Sequence, residues 1–141
     1  MDSKEKAWKI AKEQMFDNDA FSQWLGIEPV ELDAGKAVLS LTIRKEMTNG
    51  FGIAHGGISY SLADSALAFA ANAHGRQSLS IETSISHTKP VKLGDKIIAT
   101  ATERSLTKSI AIYSIDILNQ HGDNVALFKG TVYRTSKDWA L

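Results

Sequence analysis

The run Asn49-Gly50-Phe51-Gly52-Ile53-Ala54-His55-Gly56-Gly57-Ile58-Ser59-Tyr60-Ser61-Leu62-Ala63-Asp64 holds residue types from which a catalytic site can be assembled. Glycines at 50, 52, 56 and 57 mark a loop, and the residues after them predict a long helix over about 57–73. A helix N-terminus presents unpaired backbone N–H groups and a partial positive charge. Glycine there lets a ligand reach the backbone closely. The combination suits an anion, or an oxyanion that develops during a reaction.

Asp64 is the misfit in this pattern. Its helix is otherwise built from Ile58, Leu62, Ala63, Ala66, Leu67, Phe69 and Ala70, apolar nearly all round and therefore buried. An unpartnered carboxylate in such a place needs a partner, a solvated pocket or a raised pKa. One reading is a structural carboxylate bonded to a neighbouring loop; the other is a general base or nucleophile. Gly56 and Asp64 are eight residues apart, about 12 Å along a helix. The Asp64 side chain leans back toward the N-terminus but does not close that gap. If the Gly56 amide and Asp64 act on one carbonyl, they come from two subunits.

The elements needed to position these residues are legible from periodicity. Ala7, Ile10, Ala11 and Met15 share one face and predict an N-terminal helix over about 4–16, with a short turn at 19–24. Strands are predicted at about 27–33, 36–43, 78–88, 95–105, 109–119 and 124–135. Asp33-Ala34-Gly35 supplies the first hairpin turn, and Gly94-Asp95, Thr107-Lys108 and Gly122-Asp123 the later ones. The order is helix, two strands, buried helix, four strands. It predicts an α+β domain over 1–141 in which an antiparallel sheet wraps a central helix.

The bulk composition restricts function. Sixteen basic and sixteen acidic residues leave no net charge, which argues against a nucleic-acid partner bound by bulk electrostatics. The absence of cysteine excludes thiolate nucleophiles and thiolate metal sites. No His/Asp/Glu spacing suggests a metal. The first residues carry no apolar leader, and no run is long enough to span a membrane, so the expected setting is the cytoplasm, away from membranes. Lys89, Lys92, Arg104 and Lys108 fall near strand ends, where cations can meet a small anion. His74 and His121 lie at a helix end and a turn, and His87 on a strand reads as structural, with a pocket residue as the alternative. Trp8, Trp24, Met15 and Phe16 read as packing residues.

From Lys6 to about Tyr133 the chain resembles the phenylacetate-degradation (PaaI-type) hotdog acyl-CoA thioesterases. The resemblance rests on Asn49-Gly50, His55-Gly56-Gly57, Ser61-Leu62-Ala63-Asp64, Lys89-Pro90 and Val125-Ala126-Leu127-Phe128-Lys129-Gly130. It implies a hotdog fold and hydrolysis of acyl-coenzyme A without metal or cofactor. The acyl group it implies is aryl or arylacetyl, such as hydroxyphenylacetyl. It further implies Asp64 as nucleophile or general base, and the partner's Gly56 N–H, assisted by Gly57, as the group that polarises the carbonyl. Asn49 would place water or substrate, and His55 would shape the loop and hold the carbonyl side, so that both count with Asp64 and Gly56 as catalytic. Ser80, with Thr83 as the alternative, matches a hydroxyl that faces the site. Lys89, Arg104 and Lys108 are the candidates for the coenzyme A phosphates. The chain departs from the family pattern at His87 and Thr88, a segment expected to affect which acyl group fits. The implied assembly is a dimer joined through edge strands and doubled to a tetramer. Two rivals are a hotdog hydratase or dehydratase, using His55 with Asp64 on acyl-CoA or acyl-carrier protein, and a non-catalytic acyl-CoA-binding module.

Overall fold

A computed structural model describes residues 1–141. Its six strands form one antiparallel sheet: β1 (Glu28–Asp33), β2 (Lys36–Thr42), β3 (Arg76–His87), β4 (Lys96–Leu106), β5 (Ile110–Leu118) and β6 (Asn124–Asp138). Their order across the sheet is β1-β2-β4-β5-β6-β3. Alternation along the strands explains the one-sided core. Ala37, Leu39 and Leu41, Ile97, Ala99 and Ala101, and Ala111, Tyr113, Ile115 and Ile117 all point inward and are buried.

Helix α3 (Gly56–Asn72) fills the concave side of the sheet and touches every strand. Leu62, Ala63, Ala66, Leu67, Phe69 and Ala70 are buried there, as an all-apolar helix requires. Gly130 on β6 makes the approach possible. A Cβ at that position would lie 2.4 Å from Leu67 Cδ2. The predicted hairpin turn also closes on the helix: Gly35, at φ +72°, donates its N–H to the Ala70 carbonyl.

The far end of α3 is fixed by Asn72, which is 2% exposed. Its amide donates to the carbonyls of Ala68 and Ser78, and its oxygen accepts from Ser78 N–H and the Trp139 indole. One side chain thereby joins the helix end, the start of β3 and the C-terminal segment.

The remaining helices cover the outer side of α3. The N-terminal helix is not uniformly α. Ser3–Ala7 (α1) is α-helical, and Trp8–Met15 widens to π winding, with i→i+5 bonds. Ala7, Ile10 and Ala11 are buried all the same. A short α2 (Ala20–Trp24) follows, capped by Asp19, and Ser22 bonds Ser65 of α3. Met15 and Phe16 pack against the core, and the Phe16 ring meets Phe69 edge-on at 6.2 Å. Trp8 and Trp24, expected to pack, lie on the surface instead. Trp24 stacks on Phe21 beneath the Arg44 guanidinium, so each gains a neighbour without entering the core. No helix is long and apolar enough to cross a membrane.

Candidate active site

The loop before α3 is held by its own polar groups. Asn49 Oδ1 accepts from Phe51 N–H at 2.9 Å, Asn49 N–H donates to the Ile53 carbonyl, and Gly52 adopts φ +79° in the turn. The loop then delivers His55 as the N-cap of α3. His55 is extended (φ −60°, ψ 137°), and its Nδ1 accepts from Gly57 N–H at 2.9 Å. This fixes two things. The His55 ring is the cap, with Nδ1 unprotonated. The Gly57 N–H, expected to assist at a carbonyl, is already occupied. Gly56 N–H is different: it has no acceptor within the chain.

Gly56 opens on a cleft of about 360 Å³ that is also lined by Asn49, Ser59, His87 and Lys89. Ser59 is 3% exposed and one turn into the helix. His87, read from sequence as structural, lies in this cleft with its Nε2 3.1 Å from where a Cβ on Gly56 would sit. Lys89 reaches the same cleft but pairs with Asp123 at 2.6 Å, which holds that carboxyl below its ordinary range.

Asp64 lies elsewhere. It lines a separate cavity of about 190 Å³ with Met15, Leu67, Ala68, Asn72, Ser78, Leu79, Ser80 and Val132. Burial raises its carboxyl above the usual carboxylate range, and no hydrogen bond or cation offsets the shift. Ser80 is thus beside Asp64, as its position implied. Thr83 is not; its hydroxyl bonds Tyr60 Oη, and the Tyr60 ring packs edge-on against Phe128.

The predicted cations divide. Arg104 stands alone on the surface of β4. Lys108 belongs to a group with Arg76 and Arg134 around a cavity of about 340 Å³ at the strand ends beyond Ser80. Sequence reasoning favoured a structural role for His87 and did not single out Ser59, Arg76 or Arg134. His87, Arg76 and Arg134 join their sites through the sheet, whereas Ser59 stands one turn from Gly56 on the helix itself. No group of three or more His, Cys, Asp or Glu residues converges as a metal would need.

An antiparallel sheet around one buried helix, with a free amide at the helix start and a carboxylate two turns inside, defines a hotdog-fold protein. The model of the thioesterase superfamily matches residues 51–126. The chain is 40% identical to the acyl-coenzyme A thioesterase PaaI of Escherichia coli over 92% of its length and 91% of that protein. The solved structure of E. coli PaaI, from the phenylacetic acid degradation operon, superposes with a TM-score of 0.94 at 37% identity, covering 97% of this chain and 99% of that one. A thioesterase structure with coenzyme A from Streptococcus pneumoniae matches with a TM-score of 0.82 at 25% identity, over 88% and 97% of the two chains. The chain belongs to the thioesterase superfamily, in its PaaI-type hotdog branch.

Proposed function

We propose that the protein hydrolyses acyl-coenzyme A thioesters to free acid and coenzyme A, at sites shared between two subunits. The observation that carries this reading is the pairing of two unsatisfied groups on one helix. Gly56 N–H lacks an acceptor, Asp64 lacks a donor, and they open on different cavities. Each supplies what the other lacks at a thioester carbonyl.

The open edge of the sheet supports the pairing. β3 is an edge strand that exposes Leu79 (69%) and Ile81 (60%), a surface that a solitary protomer leaves uncovered. Antiparallel pairing of two β3 strands about a two-fold axis near their middle brings the Ser80 end of one strand towards the partner's His87 end. The Asp64 cavity, which includes Ser80, then faces the partner's cleft, which includes its Gly56. Exposed Phe21, Trp24 and Phe51 supply a second apolar surface, consistent with doubling to a tetramer.

In the reaction, the partner's Gly56 N–H holds the carbonyl oxygen. Asp64 either takes a proton from water as it attacks the carbonyl carbon, or attacks directly to give an anhydride that water opens. Electrons pass to the oxygen and return as the carbon–sulfur bond breaks and the coenzyme A thiolate leaves. Ser80, which lines the Asp64 cavity, orients the water in this reading, and Asn49 steadies the loop under the substrate. The Lys108, Arg76 and Arg134 group sets three cations against one carboxylate, Asp138, around its cavity and is better suited to phosphates than Lys89, whose charge Asp123 offsets. Aryl and arylacetyl groups are the expected acyl moieties, by likeness to E. coli PaaI, a protein of the phenylacetic acid degradation operon. A hydratase reading finds less support, since His55 lines neither the Asp64 cavity nor the Gly56 cleft that faces it across the dimer.

The test is thiol release from a panel of aliphatic, aryl and arylacetyl coenzyme A esters, by wild type and Asp64→Ala. The expected result is turnover by wild type, greatest with an arylacetyl ester. The variant should lose at least a thousandfold in kcat, with its fold intact by circular dichroism. Near-wild-type turnover by Asp64→Ala would remove Asp64 from the mechanism.

A further inference from the structure

We propose that His87 is a catalytic residue: its Nε2–H is the second donor, beside Gly56 N–H, to the oxygen of the reacting carbonyl. The inference rests on the thioesterase reading above and adds a group that the sequence pattern left as structural.

A developing oxyanion is best held by two donors, and the helix start offers only one. Gly57 N–H would be the natural second, but it is bound to His55 Nδ1 at 2.9 Å. His55 caps the helix through Nδ1, and its ring lines a different cavity with Phe21 and Trp24 rather than the Gly56 cleft. The remaining side chain against Gly56 is His87, delivered by the last residue of β3. Its ring makes no hydrogen bond elsewhere in the chain, so its donor is uncommitted.

The geometry suits a shared oxygen. His87 Nε2 is 3.1 Å from the position of a Cβ on Gly56, and Cε1 is 3.3 Å from it. That Cβ position lies roughly 2.5 Å from the Gly56 nitrogen across a tetrahedral carbon, so the two donor nitrogens are at most about 5.6 Å apart. An oxygen about 2.9 Å from each donor bridges separations up to roughly 5.8 Å. One carbonyl oxygen in the cleft therefore reaches both. The ring must present Nε2–H, which leaves Nδ1 as an acceptor toward solvent.

The step is then balanced without a covalent role for His87. As the nucleophile adds to the carbonyl carbon, the carbonyl π pair moves onto oxygen and is held by Gly56 N–H and His87 Nε2–H. Both hydrogen bonds relax when the pair returns and the thiolate departs. The interaction strengthens only as charge develops, so it should appear in kcat rather than in KM.

The test uses the full-length protein and the best ester from the panel. His87→Phe keeps a planar ring without a donor; His87→Gln restores one. His87→Phe should lower kcat about a hundredfold, in line with loss of one oxyanion donor, with KM changed less than threefold. His87→Gln should recover at least tenfold of that loss, at an unchanged melting temperature. The inference is overturned if His87→Phe keeps kcat within tenfold of wild type, or if His87→Gln is no better than His87→Phe. Wild-type turnover and Asp64→Ala, run alongside, separate failure of this step from failure of the thioesterase reading. An inactive wild type sinks both, whereas an Asp64-dependent wild type with an indifferent His87 sinks only this one.

Discussion

At the residue scale, Asp64 carries opposite demands. Its side chain is half-buried with no partner, so folding favours the protonated form and raises its pKa. Catalysis needs the ionised form. The pKa shift makes two statements of definite sign. First, kcat/KM should fall on its acid side at a pH above the ordinary carboxylate range, because activity is lost as Asp64 takes up its proton. Second, a carboxyl whose folded pKa is raised favours the fold below the unfolded pKa of about 3.9, and that contribution is lost as pH rises through the folded value. Asp64→Asn should therefore melt higher than wild type at pH 7 and about equally at pH 3.5. The check is a pair of melting curves at the two pH values. A variant less stable at pH 7 would mean that the carboxylate has a stabilising partner. Asp64 was legible in the sequence because a lone acid among alanine, leucine and phenylalanine is anomalous on its face. His87 was legible only in part: its segment was expected to affect which acyl group fits, but its place beside Gly56 follows from β3 running back to the start of α3, which no local pattern encodes.

At the element scale, α3 is where the sequence was most informative and where one glycine went unread. The apolar run of α3 announced a buried helix, and the alternating strands announced the sheet around it. How closely they approach was not announced. That distance depends on Gly130, which sits against Leu67. Gly130→Ala places a methyl group 2.4 Å from a buried leucine carbon between a helix and a sheet that are both fixed along their lengths. Overpacking of this kind costs typically about 1–3 kcal/mol. The melting temperature should fall by several degrees, with kcat little changed well below it, since the substitution lies in the core rather than at Gly56. An unchanged melting temperature would show that Leu67 has room to turn aside. The π winding over Trp8–Met15 escaped the sequence for a related reason. Shifting backbone bonds from i→i+4 to i→i+5 leaves Ala7, Ile10 and Ala11 facing inward, so the apolar pattern does not record it. Asn72 was equally silent, because its partners Ser78 and Trp139 are set by the tertiary fold.

At the scale of the whole molecule, the helix arithmetic becomes a claim about symmetry. A two-fold dimer with shared sites places Asp64 of each subunit against the partner's Gly56, so each dimer holds two equivalent sites. Two singly disabled variants then complement each other. Gly56→Pro is a well-suited partner for Asp64→Ala. It deletes the N–H in question at the first helical position, where proline is tolerated, and His55 before it already has the extended backbone that proline requires. The nearest side chain to the new Cβ is His87, exposed on the last residue of β3. Each homodimer should be nearly inactive. In a heterodimer, one site joins Asp64 from the Gly56→Pro subunit to Gly56 from the Asp64→Ala subunit, and is intact; the other carries both lesions. After full exchange of equal amounts, half the dimers are mixed and half their sites work, so about a quarter of wild-type activity should return. The measurement is thiol release before and after exchange, with mixing followed by mass spectrometry of tagged subunits. If every site lay within one chain, each subunit of the heterodimer would still carry one lesion, and activity would stay at the level of the separate variants.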